Sequence, residues 1–203
     1  MMPSTFTPAR AYEYWLYRAD DEGLDRWNGY AGWYDVARRW AEKLAEEHGV
    51  SLSTVAAVIA ALSPQARWSQ QQKMTGPWLQ LMLQHPEIKP EKLAKEAPYP
   101  TFLPNRAKAI GILRGDLDPE DTLGPKTKAF WKAIMGDPDA IVIDTWMQRA
   151  AGWEEHRLTP SRYDALCDAL KAACAAYGWR GAYADAQATI WETVRKEWHH
   201  DED

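Results

Sequence analysis

Much of what marks other protein classes is missing from this chain. Its formal net charge is −5 and its pI about 5.6, so it is not a protein that coats nucleic acid through bulk positive charge. No apolar run approaches membrane-spanning length, and Met1-Met2-Pro3-Ser4 lacks the basic and apolar character of a signal peptide. An intracellular location is the expectation. Only two cysteines occur, Cys167 and Cys174, seven apart on what reads as one helix, and buried reduced thiols are expected there. His48, His85, His156, His199 and His200 show no metal-ligand spacing. No segment combines two-residue alternation with hairpin signals, which excludes a substantial sheet and predicts an all-α protein. There is no internal repeat, and no low-complexity tract apart from His199 to Asp203.

What is present is apolar mass. Hydrophobic content of 46% with 26% charged residues fits a folded globular chain, and 203 residues suffice for one core or for two lobes sharing an interface. One compact unit is the simplest reading. Twelve tryptophans are the unusual feature, and bulk in a helical core explains them more simply than base stacking does. Charge is segregated: Arg106, Lys108, Arg114, Lys126, Lys128 and Lys132 gather in one region, while acids concentrate at Asp20 to Asp25, Glu42 to Glu47 and Asp201 to Asp203. A one-faced binder and a solvated helix face both give this count.

Residues 9 to 19 are helix-compatible, with Gly23 beyond their end. Trp33, Val36, Ala37, Trp40, Ala41 and Leu44 recur at helical spacing until His48-Gly49, where glycine suits a left-handed stop. Ser51 or Ser53 can cap the next helix, whose stripe is Val55, Val58, Ile59 and Leu62. Ser69 to Gln84 reads as a further helix, with Gly76-Pro77 a place for a bend. From His85 to Pro104 five prolines leave room for one small helix at Pro90 to Lys95. Asn105 to Leu113 is helical again, and Asp118-Pro119-Glu120-Asp121 has space for a single turn. Thr159-Pro160 starts a helix striped by Tyr163, Leu166, Cys167, Leu170, Cys174 and Tyr177, and the last helix runs from about Tyr183 to Trp198.

The stretch from Leu123 to Gly152 carries the readable chemistry. Leu123-Gly124-Pro125-Lys126-Thr127 is a tight turn opening a helix at a lysine. After Met135-Gly136-Asp137-Pro138 breaks that helix, Ile141-Val142-Ile143 delivers Asp144 to the start of the next, followed by Thr145, Trp146 and Arg149. This resembles the helix-hairpin-helix base-excision DNA glycosylases, the superfamily of endonuclease III and the 8-oxoguanine and adenine glycosylases. There a hairpin precedes a Lys-Thr-Ala helix, and a Val-Asp-Thr-His segment follows about eighteen positions later. Here 144 − 126 = 18. Upstream, Ala60-Ala61-Leu62-Ser63-Pro64-Gln65 is similar to the family's Leu-Ser-Ala-Gln segment, and Asn105-Arg106-Ala107-Lys108-Ala109-Ile110 to its Asn-x-Lys-Ala-x-x-Ile helix. The three matches cover roughly residues 52 to 152 in the right order.

The resemblance implies two helical lobes with a cleft between them, one of about residues 51 to 136 including the hairpin, the other of about 1 to 50 plus 137 to 203. It implies excision of a damaged or modified base, with or without strand cleavage by lyase chemistry. Asp144 would stabilise the sugar cation, and Lys126 would be the amine that attacks C1′. As a lone aspartate before a helix, Asp144 equally suits an ordinary amino-terminal cap. Gly124, Thr127, Lys128, Arg106 and Lys108 would hold DNA, and Gln65 would fill the gap left by an extruded nucleotide. Trp146, Trp68, Trp33 and Tyr34, with Tyr30, are pocket candidates. Pro125 departs from the family pattern because it has no N–H to offer a phosphate. Some members carry a four-cysteine iron-sulfur cluster, which two cysteines cannot hold, so no cofactor or metal is expected. The expected partner is double-stranded DNA with a flipped nucleotide, the expected state a monomer, and the expected setting the cytoplasm of a bacterial or phage-infected cell. Two alternatives stay open: a phage-type enzyme acting on modified bases or nucleotides, and a catalytically silent DNA-binding module.

Overall fold

The computed structural model describes residues 6–21, 32–153 and 157–200, with residues 199 and 200 as backbone only. Among the described residues regular structure is exclusively helical, as the missing alternation predicted. None of these helices is long and apolar enough to cross a membrane. The chain divides into two compact units, Met1–Val36 with Gly136–Asp203, and Ala37–Met135.

In the first unit, α1 (Pro8–Asp21), α9 (Thr145–Ala150), α10 (Pro160–Tyr177) and α11 (Tyr183–His200) enclose one core. Tyr12, Leu16, Ile143, Met147, Leu166, Leu170 and Ile190 are sealed within it. A six-residue helix such as α9 cannot persist alone, since nucleation consumes most of what so few hydrogen bonds return. Neighbouring side chains compensate by taking its carbonyls: Tyr12 Oη donates to Met147 O at 3.0 Å and Trp15 Nε1 to Ala150 O at 3.0 Å. Cys174 is buried and Cys167 half-buried, both free, and burial pushes each thiol up to about 11.

The second unit is built on α3 (Leu52–Leu62), flanked by α4 (Trp68–Gln84), α6 (Leu103–Arg114) and α8 (Pro125–Met135). Ser51 caps α3, its hydroxyl accepting from Thr54 N at 3.1 Å. The stripe expected on α3 is too narrow, because every residue from Val55 to Leu62 is buried. Four alanines among them let neighbouring helices approach on all sides, so the helix lies inside the unit and not on its edge. On α6, Gly111 lets Leu117 pack closely, since a Cβ there would lie 2.6 Å from Leu117 Cδ1 and the leucine side chain would have to move. Pro77 stands inside α4, and α5 (Pro90–Glu96) with the single turn α7 (Pro119–Thr122) fills the connections.

The division departs from the expected boundary near residue 50, because the cut falls within α2 (Trp33–His48). Its first residues pack with α11, whereas Arg38 Nη1 donates to Met135 O at 2.7 Å and Trp40 meets Trp68 edge-on. Val36 also leaves the predicted stripe and is half exposed, at 50%. The buried face runs instead through Tyr34, Ala37, Ala41, Leu44 and Ala45, and Gly49 ends the helix at φ +64°.

Candidate functional site

Asp144 is the residue that the first unit treats most unusually. Ile141 to Ile143 are buried without regular structure, and Tyr163 braces them: its Oη donates to Ile141 O at 2.7 Å and accepts from Ile143 N at 3.3 Å. This bracing fixes where the next residue leaves the core. Asp144 has extended backbone angles and caps α9, with Oδ1 accepting from Trp146 N at 2.9 Å and Met147 N at 3.0 Å. The capping reading is therefore realised. Its second oxygen does something a cap does not require, since Oδ2 accepts from Trp191 Nε1 at 2.9 Å.

Trp191 links this half-buried carboxylate to a group of aromatic rings. Trp33 meets Trp191 edge-on at 5.8 Å and Tyr34 at 5.0 Å, and Tyr34 Oη bonds Gln187 Oε1 at 2.6 Å. Trp146 packs against the core and lies under the guanidinium of Arg149, 4.7 Å from its ring centre. Burial first, then the Asp144 charge, holds the Tyr34 hydroxyl well above its ordinary range. Tyr12 and Tyr163 are raised for the same first reason, with Asp144 contributing. Near the start of α11, Asp185 is raised to about 6, by burial first and by Asp35 second. The fold thus gathers Asp144, Trp146, Trp33 and Tyr34. Tyr30 lies outside the described residues.

The second unit holds the remaining candidates. α7 and α8 form the hairpin, with Leu123 buried beneath it and Gly124 exposed at its tip. Gly124 O accepts from Lys128 N at 2.8 Å and from Thr127 Oγ1 at 3.1 Å, which leaves the N–H groups of Lys126 and Thr127 at the helix start. Lys126 is half-buried at the second position of α8. Glu120 lies 3.0 Å from Lys132 and 3.9 Å from Lys128, so part of the local positive charge is already matched.

Gln65 is exposed at the tip of the turn between α3 and α4, with φ +67°, the one described non-glycine residue in the left-handed region. Thr101 Oγ1 holds this turn through Pro64 O at 2.6 Å. Trp68 opens α4 and packs on Trp40, so it belongs to a different unit from the other pocket candidates. Arg106 has a structural duty, because its Nη1 donates to Ala97 O at 3.3 Å across the turn that precedes α6. Lys108 lies half-buried on α6. A groove of about 260 Å³ lined by Lys73, Pro77, Trp78 and Leu81 contains none of these residues.

Trp191, Tyr163 and Asp185 escaped sequence reasoning. A signal for the first lay in Gln187, Trp191 and Arg195, spaced four apart on one helix face. Nothing in that spacing named Asp144 as the partner. Among the described residues no group of three or more histidine, cysteine, aspartate or glutamate side chains is arranged to hold a metal.

Comparison with known proteins gives a family. Residues 15–198 match the model of a family of unknown function (DUF7178), and the chain belongs to it. Neither the curated proteins nor the solved structures yield a match.

Proposed function

We propose that the protein is a DNA glycosylase that releases a damaged or modified base. As the base leaves, positive charge builds on the sugar, and a fixed carboxylate stabilises it. Asp144 is assigned that role. The observation that carries the reading is the convergence of three N–H donors on one partly exposed carboxylate, in a segment in register with the hairpin lysine. Lys126 is the amine for C1′, and its attack would add strand cleavage to base release. The start of α8 suits a backbone phosphate, and Gln65 suits the space a displaced nucleotide leaves.

A second reading has its own support. Glu120 engages two of the hairpin's lysines, and Pro125 contributes no N–H. Both weaken a duplex grip and favour a modified base or nucleotide as substrate.

The test is incubation with a panel of damaged and modified oligonucleotides and the matching nucleotides, with borohydride trapping. Base release that falls at least about a hundredfold in Asp144→Asn, and trapping lost in Lys126→Gln, are the expected outcomes. Trapping that persists in Lys126→Gln removes that lysine from its role. Absence of release from every oligonucleotide overturns the glycosylase reading, and turnover of free nucleotides then establishes the second.

A further inference from the structure

A capping aspartate needs one oxygen, and Asp144 spends Oδ1 on two of the N–H groups at the start of α9, those of Trp146 and Met147. The fold nevertheless commits a large side chain from another helix, forty-seven residues further along, to Oδ2. That side chain is itself held. Arg195 lies over the Trp191 ring at 4.6 Å, Trp33 closes on it edge-on, and Glu192 holds Arg195 at 3.2 Å. A cation above an indole draws on its π electrons, which makes the ring N–H a stronger donor. Of roughly four acceptor directions on a carboxylate, three are then taken and the group cannot rotate.

We propose that Trp191 is a positioning residue for Asp144, holding the carboxylate in one orientation as a fixed anion through its indole N–H, with Arg195 and Trp33 holding the indole. This inference rests on the role assigned to Asp144 above. In that reaction Asp144 acts by its charge and its placement, because a carboxylate pinned by three donors has little freedom to swing toward a proton. Trp191 touches neither sugar nor base.

The experiment follows the indole N–H of Trp191 by nitrogen-proton NMR on the full chain, the resonance being assigned by its loss in Trp191→Phe. In Asp144→Asn this proton should shift upfield, and in the unfolding equilibrium the two substitutions should be coupled by about fivefold or more. Base release by Trp191→Phe should show kcat reduced about tenfold with KM unchanged, as loss of a charge-assisted hydrogen bond implies. Should Trp191→Phe fold poorly, Arg195→Gln keeps the ring and removes the cation, and should move the same proton upfield while lowering kcat about two- to threefold. An indole proton indifferent to Asp144→Asn, or a kcat unchanged in the folded Trp191 or Arg195 variants, overturns the proposal. Failure of the glycosylase reading is distinguishable, because it is seen in the unsubstituted protein.

Discussion

Replacing Asp185 by asparagine should stabilise the protein at neutral pH, and the effect should vanish in acid. Its carboxyl is raised from 3.8 to about 6, by burial first and by the like charge of Asp35 second. The folded state therefore holds this proton more tightly than the unfolded chain does. Between about pH 4 and 6 the folded form still carries it while the unfolded form has released it, so stability falls as pH rises through that window. The rise from 3.8 to about 6 corresponds to about 3 kcal/mol, and solvent reaching a half-buried group reduces this to about 1–2 kcal/mol. Urea midpoints should be compared at intervals from pH 4 to 8. Glu192 is also raised by burial and slopes the same way, so the difference between the unsubstituted protein and Asp185→Asn is the informative quantity. That difference should open between pH 4 and 6 and stay constant above. A difference independent of pH, or an asparagine variant less stable at pH 7.5, would refute the reasoning.

Gln65→Gly should leave stability unchanged or raise it by about 0.5 kcal/mol, because relief of a left-handed non-glycine residue slightly exceeds the added chain entropy. In the same variant base release should drop, and a loss of more than about 1 kcal/mol in a urea titration would mean that the side chain holds the turn. Tyr163→Phe should cost about 2–3 kcal/mol in thermal unfolding, since it strips partners from the Ile141 carbonyl and the Ile143 N–H in a buried segment. A cost under about 0.5 kcal/mol would show that Ile141 to Ile143 hold their course without it.

Helices with local signals were legible. Ser51, Gly49, Thr159 and the single turn before the hairpin all act through neighbours a few residues away, and the structure uses each as expected. The β-branched run Ile141 to Ile143 was legible too as a segment too short to make a sheet, and it lies outside both helix and strand. What escaped depends on long separations. Trp191 reaches back to Asp144, Tyr163 to Ile141, and Asp185 feels Asp35, and no local spacing encodes such pairs. Val36 failed for a different reason: it is apolar but sits off the arc of Tyr34, Ala37 and Ala41, so composition misled where phase decided. Arg106 read as a phosphate contact because its cationic character was visible in sequence and its bond to Ala97 O was not.

The choice between a cap and a working carboxylate at position 144 turns on what the site would accept in place of aspartate. Serine, threonine and asparagine cap helices about as well, so capping alone does not call for a negative charge. Three N–H groups converge here, two from the backbone and one from Trp191. An asparagine offers them a single oxygen. Turned toward the backbone pair, it sets its amide hydrogens against the indole N–H; flipped, it sets them against the backbone. Either orientation leaves donor facing donor in a partly buried place, at a cost of about 1–3 kcal/mol. Only a group that accepts at both ends satisfies all three, and the carboxylate is the side chain that does so. The surroundings of residue 144 thus select an anion more strictly than a helix start requires. Release assays on Asp144→Asn must accordingly be read beside its unfolding curve, with Asp144→Asn combined with Trp191→Phe as the variant that removes the opposing donor.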